Sequence, residues 1–263
     1  MALVALKELL VEAMRDGYAV GGFDAGEHGF AEAIIQAAEE TGAPLVLMIP
    51  ESFLKFVDMN NFFVYLTQRI RSSPVRIDLH LDHASSYESC LRAIHYGFTS
   101  VMFDGSLLPY ENIYLTRKVV EAAHAAGVSV EAELGHVGGD EKTLAKGYAA
   151  DERFFTEPDE AADFVERTGV DALAISFGTV HGVYRGAPKL DLERLSAIRS
   201  RVAVPLVMHG GSGLSDEDFK NAIKCGINKI NYFTAVSFAA VEAIKEGLAE
   251  KEGKIFYPEL IAR

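Results

Sequence analysis

Eight short apolar runs, each followed by a stretch of helical periodicity, succeed one another along the chain without a linker or low-complexity segment between them. The runs fall at residues 18–23, 45–49, 75–81, 100–103, 129–132, 171–177, 204–208 and 228–231. A continuous apolar run of this length suits a strand buried on both faces, as in a parallel sheet covered by helices. The stretches between them read as helices. In 27–41, for example, Ala31, Ile34, Ile35 and Ala38 fall on one face. Gly17, Gly42, Gly97, Gly127 and Gly169 stand where helices must stop. Ser215, with Asp218 three residues on, opens another helix. Residues 53–71 read as one helix with a polar break near 58–61, and 235–251 as the closing helix. Strand–helix alternation over this length predicts a closed (β/α)8 TIM barrel, one α/β domain over residues 1–263. A doubly wound open sheet is the alternative, but no Gly-x-Gly-x-x-Gly fingerprint is present.

Composition narrows the function. The 263 residues are 49% hydrophobic, enough for one sizeable core. The net charge of -13 makes nucleic acid a poor partner. A phosphorylated small molecule remains open, provided that local donors such as backbone N–H groups and helix N-termini hold it. Cys90 and Cys225 lie far apart with no Cys-x-x-Cys spacing, so a reducing, cytoplasmic setting is expected. Lys7, Glu8, Glu12 and Arg15 make the first helix amphipathic rather than a signal peptide. No apolar run approaches the ~20 residues of a membrane span, so no membrane partner is expected.

The chemistry gathers at the ends of the strands, where barrel enzymes place their sites. Asp82-His83, Asp104, Glu133, His181, His209 and Asn231 all stand there. Three imidazoles converging with an open fourth position make a catalytic zinc set, and His83, His181 and His209 follow three different strands. Each taken alone reads as an ordinary polar loop residue. Gly182 and Gly210-Gly211-Ser212 follow two of these histidines, and successive backbone N–H groups there make an anion cradle. Asn231 to Thr234 open the last helix, whose N-terminus suits a phosphate. A metal beside a bound phosphate suggests a polarised ketone and an enediolate. Asp82 is the carboxylate placed to move protons, or else to orient a histidine. Residues 138–155 read as a long polar mobile loop with about one turn of structure.

At these residues the chain resembles the class II, zinc-dependent fructose-bisphosphate and tagatose-bisphosphate aldolases. The resemblance runs from about Leu6 to Thr234. It is carried by His80-Leu81-Asp82-His83, Val101-Met102-Phe103-Asp104-Gly105-Ser106, Glu131-Ala132-Glu133-Leu134-Gly135, Gly178-Thr179-Val180-His181-Gly182, His209-Gly210-Gly211-Ser212-Gly213 and Lys229-Ile230-Asn231-Tyr232-Phe233-Thr234. It implies cleavage of a ketose phosphate to dihydroxyacetone phosphate and an aldehyde. It also implies that His83, His181 and His209 hold the catalytic zinc. Asp104 and Glu133 lie near a second or displaced metal position, which a divalent or a monovalent cation would take. Asp82 matches the acid/base at the aldehyde oxygen, and Glu141 the loop acid that moves the carbon-bound proton. Gly182, Gly210, Gly211, Ser212, Asn231, Tyr232, Phe233 and Thr234 match the triose-phosphate contacts, and a homodimer or homotetramer is usual. The chain departs from the family's pattern at Asp24, Gly26, Ala84, Lys142 and Arg185 and in a short C-terminus. These departures bear on the aldehyde half of the substrate. A non-catalytic sugar-phosphate-binding barrel and a zinc hydrolase are the alternative readings. The latter lacks the early His-x-His that such sites add.

Overall fold

The computed structural model describes residues 2–108, 110–139 and 147–261. Eight strands, β1 (Val20–Asp24), β2 (Leu45–Pro50), β3 (Ile77–Ala84), β4 (Ser100–Phe103), β5 (Ser129–Leu134), β6 (Ala172–Ile175), β7 (Leu206–Met208) and β8 (Ile227–Asn231), form one closed parallel barrel in chain order. Gly22 closes the ring, opposite Val46 on β2 and Asn231 on β8. The helices are α1 (Leu6–Asp16), α2 (His28–Thr41), α3 (Met59–Arg71), α4 (Tyr87–Tyr96), α5 (Asn112–Ala125), α6 (Pro158–Thr168), α7 (Leu192–Arg199), α8 (Asp216–Lys224), α9 (Thr234–Glu250) and α10 (Tyr257–Ile261). The expected stops are in place: Gly17, Gly42, Gly97 and Gly169 each end a helix in the left-handed conformation. Ser215 and Asp218 form a reciprocal capping box.

Strand residues alternate between the helical layer and the barrel axis. Leu79, Leu81, Val101, Val130, Leu173 and Ile175 face outward into a core shared with Ile35, Leu66, Phe164 and Leu195 of the helices. Val20, Val46, Met48, Ala172 and Val207 face inward and meet Leu6, Leu9, Leu10 and Ala13 of α1. That helix precedes the first strand and plugs the barrel's amino end with an apolar floor. The middle of the barrel is polar instead. Asp78, His80, Glu131 and Lys229 are each 0% exposed there.

Two local readings are corrected. The polar break in residues 53–71 is a real boundary: a 3-10 turn (Glu51–Phe56) ends, and Asp58 caps α3 through the Asn60 N–H. The third strand does not stop at Leu81 but continues through Asp82 and His83 to Ala84. The one turn expected in residues 138–155 is the short 3-10 turn at Glu152–Phe154, and bridges join Gly139 to His181 and Tyr148 to Tyr184. The closing helix is α9, within one residue of its expected bounds. Only Thr234 and Gly247 of α9 are buried, and Phe238, Val241, Ile244 and Leu248 are exposed.

Candidate active site

The barrel's carboxyl end brings the histidines together. The rings of His83, His181 and His209 lie with centroids 4.8–5.4 Å apart. One nitrogen from each lies within 4.8 Å of the others. Getting Asp82 and His83 to the same cavity takes a local break in the strand, because neighbours on a strand point to opposite faces. The pairing of β3 with β4 slips between Leu81 and Ala84, and His83 adopts φ +48°. This bulge in a left-handed conformation turns His83 inward beside Asp82.

Each ring is held by its far nitrogen. His83 Nδ1 donates to Asp104 Oδ2 at 2.9 Å, and that carboxylate is itself fixed by the Ser106 N–H and hydroxyl. His181 Nδ1 donates to the Val137 carbonyl at 3.2 Å. His209 Nε2 donates to Glu131 Oε1 at 3.1 Å. These bonds settle which nitrogen of each ring is presented to the cavity. His181 Nε2 and His209 Nδ1 are buried without a well-directed hydrogen bond among the described residues, the nearest acceptor to the latter being Glu133 Oε2 at 3.1 Å. Buried polar atoms are normally satisfied, so two such nitrogens aimed at one point fit a ligated ion. Burial opposes a charge on His83, but Asp82 and Asp104 outweigh it and raise its pKa well above the usual imidazole value. His181 is pushed well below that value, by burial first and then by the two neighbouring imidazoles.

Glu133 lies at the same point, with Oε2 3.1 Å from His209 Nδ1 and Oε1 accepting the Val137 N–H. His83, Asp104 and Glu133 form a second cluster of metal-ligand type. Asp104 of this cluster also accepts the His83 Nδ1–H bond.

Beneath the histidines is a network that the sequence reading left unassigned. Glu131 receives Lys229 Nζ at 2.8 Å on its other oxygen. Burial alone would raise the Glu131 pKa, but Lys229 and the His209 bond lower it well below the usual range. His80 Nδ1 meets Ser100 Oγ, which donates to Asp78. Burial pushes Asp78 up to about 7 and His80 down to about 3. The alternation Asp78, His80, Asp82 on β3 was the available signal, as were Glu131, Glu133 on β5 and Lys229, Asn231 on β8. Because breaking one side of a buried pair strands a charge, Lys229→Met is expected to lower unfolding stability by about 3–5 kcal/mol. The double variant Lys229→Met/Glu131→Leu should recover part of that loss in urea unfolding.

Beside the histidines, Gly182, Gly210, Gly211, Ser212, Asn231, Phe233 and Thr234 line one cavity with Asp24 and Asp82. Gly210 has φ +68°, and a Cβ there would collide with the Val180 carbonyl oxygen. Tyr184 staples the two loops: its hydroxyl accepts the Val180 N–H and donates to the Gly210 carbonyl at 2.7 Å. It was not foreseen. Phe233, the N-cap residue of α9 at this cavity, gives no side-chain cap, and the Ser212 hydroxyl accepts the Ala235 N–H instead. Tyr232 packs its ring against Phe23 and Phe219 beside the cavity. Glu141 lies outside the described residues, but Gly139 next to that segment is bridged to His181.

A closed parallel barrel with three oriented imidazoles, buried carboxylates and a glycine cradle at its carboxyl end defines a barrel enzyme with a centre of metal-binding type. Comparison with known proteins makes the assignment specific. The family model for fructose-bisphosphate aldolase class-II matches residues 4–261, and the chain belongs to this family of lyases. It is 43% identical over 256 residues to a probable fructose-bisphosphate aldolase of Bacillus subtilis, covering 95% of this chain and 88% of that one. Against the fructose-bisphosphate aldolase of Staphylococcus aureus the identity is 41% over 252 residues, covering 94% and 87%. Among solved structures, the YdjI aldolase of Escherichia coli K12 superposes with a TM-score of 0.87 at 34% identity, covering 99% and 90%.

Proposed function

We propose that the chain is a zinc-dependent aldolase that cleaves a ketose phosphate by a retro-aldol reaction into dihydroxyacetone phosphate and an aldehyde. The observation that carries this reading is the convergence of two imidazole nitrogens without a well-directed hydrogen bond, the His83 ring and the Asp82 carboxylate on a cavity floored by the glycine cradle. Three imidazoles and a partly open position suit zinc, which when bound supplies the Lewis acidity that stabilises enediolate charge on the triose half. His83, His181 and His209 would hold it, and Glu133 and Asp104 offer a second cation position. Gly182, Gly210 to Ser212 and the α9 N-terminus hold the phosphate. Asp82, 3% exposed, accepts the proton of the hydroxyl that becomes the aldehyde. Glu141 is assigned the carbon-bound proton on the resemblance alone.

Chelation is expected to lower dihydroxyacetone phosphate release by at least ~10³-fold, the scale of several kcal/mol of charge stabilisation. Circular dichroism should be unchanged, and added zinc should restore turnover. Unchanged turnover after metal analysis shows the protein stripped would sink the zinc assignment.

We also propose that the chain works as a homodimer or homotetramer and that α9 makes the contact. Its exposed Phe238, Val241 and Ile244 face away from the barrel, while Ala33, Ala37, Thr41 and Pro44 line an uncovered apolar groove at α2. Reciprocal insertion by a second copy would cover both surfaces through one twofold contact. Sedimentation should read a multiple of 28.6 kDa for the parent chain, and Ile244→Asp should lower it. No helix among the described residues is long and apolar enough to cross a membrane. Both cysteines are free, which supports the expected cytoplasmic setting.

A further inference from the structure

Asp82, His83 and His181 line two hollows, one on each side of the histidine cluster. The first is the glycine cradle. The second opens between the 3-10 turn that follows β2 and the loop after β4, and holds Pro50, Glu51, Phe53, Phe56 and Leu107. If the first takes the triose phosphate, the second takes the aldehyde half. The two are built from opposite chemistry.

From this second hollow we infer that the aldehyde half carries no phosphate: the substrate is a ketose phosphorylated only on its triose end, with a neutral hydroxylated tail. The inference rests on the aldolase reading above and narrows its substrate class. A phosphate needs unoccupied donors or cations that converge. In the second hollow the Ser85 backbone N–H is already taken, at 2.9 Å, by the Glu51 carboxylate. Glu51 is kept ionised: burial opposes its charge, but bonds from Ser85 and Ser89 and the nearby Arg92 lower its pKa. The protein's own anion thus sits where a ligand's anion would be received. The N-terminus of α4, next in the chain, is also closed, because the Ser86 hydroxyl accepts the Ser89 N–H. Pro50 has no N–H to give.

Among the described residues lining this hollow, Lys55 is the one lysine or arginine. It is exposed, with Nζ lying 4.8 Å over the Phe56 ring, and Glu51 belongs to the same turn. Asp82 and Asp104 also line the wall, but they sit against His83 of the histidine cluster and leave Glu51 as the carboxylate that meets the tail. A phosphate dianion at the turn would meet that like charge. A sugar tail fits instead. The Phe53 and Phe56 rings suit its C–H faces, and Ser52, Ser85 and His136 offer polar atoms to its hydroxyls. Phe56 and Leu107 are 69% and 71% exposed, so the hollow is open to solvent and admits a tail longer than three carbons.

The test runs the reaction towards carbon–carbon bond formation with the zinc-loaded enzyme and dihydroxyacetone phosphate. Values of kcat/KM are compared for D-glyceraldehyde 3-phosphate and for D-glyceraldehyde, L-glyceraldehyde and neutral tetroses and pentoses. The best neutral aldehyde is expected to exceed the phosphorylated one by at least ~10-fold. An equal or greater value for the phosphorylated aldehyde overturns the inference, as does condensation with none of the neutral panel. Deuterium exchange at the hydroxymethyl carbon of dihydroxyacetone phosphate, read without any aldehyde, tests the underlying reading separately. Exchange without neutral-aldehyde condensation removes the inference alone, whereas no exchange removes the aldolase reading. Glu51→Gln keeps an acceptor for the Ser85 N–H and deletes the charge. It should shift the preference ~10-fold towards the phosphorylated aldehyde. A purely structural Glu51 would lower both values alike, and that outcome also counts against the inference.

Discussion

His209→Ala is expected to empty the metal centre and to reduce cleavage by at least ~10³-fold, as losing several kcal/mol of charge stabilisation requires. The side chain is 0% exposed, and both of its nitrogens are committed. Nε2 is anchored on Glu131, and Nδ1 faces the point shared with His83, His181 and Glu133. Alanine removes one of three imidazole donors and leaves Glu133 Oε2 without the ring nitrogen 3.1 Å away. The Glu131–Lys229 pair remains, so the polar layer below keeps its charge balance. Metal analysis of the purified variant, steady-state kinetics and circular dichroism should show zinc and turnover lost together in a folded barrel. Full zinc content with full turnover would show that the three-imidazole assignment is wrong.

Asp82→Asn should separate catalysis from binding. Losing a positioned acid/base group costs typically ~10²–10⁴-fold in rate. Asp82 Oδ1 is buried without a hydrogen-bond partner among the described residues, and Oδ2 lies 3.8 Å from His83 Nε2. Asparagine fills the same space without a charge, and the cradle for the phosphate is untouched. Cleavage is therefore expected to collapse while zinc content and the inhibition constant of a triose-phosphate analogue stay within about threefold. A barrel that only bound sugar phosphates would show unchanged binding and no cleavage to lose. If cleavage survives at the parent rate, Asp82 merely orients His83.

Much of the site was legible because its residues sit at strand ends, and strand ends follow from local pattern. His83, His181, His209, Asp104, Glu133 and the glycines could each be placed without knowing any partner. What escaped was either inside the barrel or between loops. Lys229 was noticed only as part of a matching stretch, and its partner Glu131 is 98 residues away. Tyr184 lay outside every matching stretch, and its role appears only when two loops 26 residues apart are seen to share its hydroxyl. Glu51 fell between the second strand and the helix read over 53–71 and was assigned no role, yet it holds the Ser85 backbone 34 residues on.

The sequence by itself determined the order of strands and helices, their stops, the barrel and the place of His83, His181 and His209 at strand ends. Those properties arise from burial period, glycine stereochemistry and capping, all of which act within a few residues. The tertiary structure alone decided which nitrogen of each histidine faces the cavity, how β3 bulges to present Asp82 and His83 together, and that α9 leaves the barrel uncovered. Those depend on closing the ring of strands, which sets groups such as His209 and Glu131, 78 residues apart, within hydrogen-bonding distance. Local periodicity has no means of specifying such a contact.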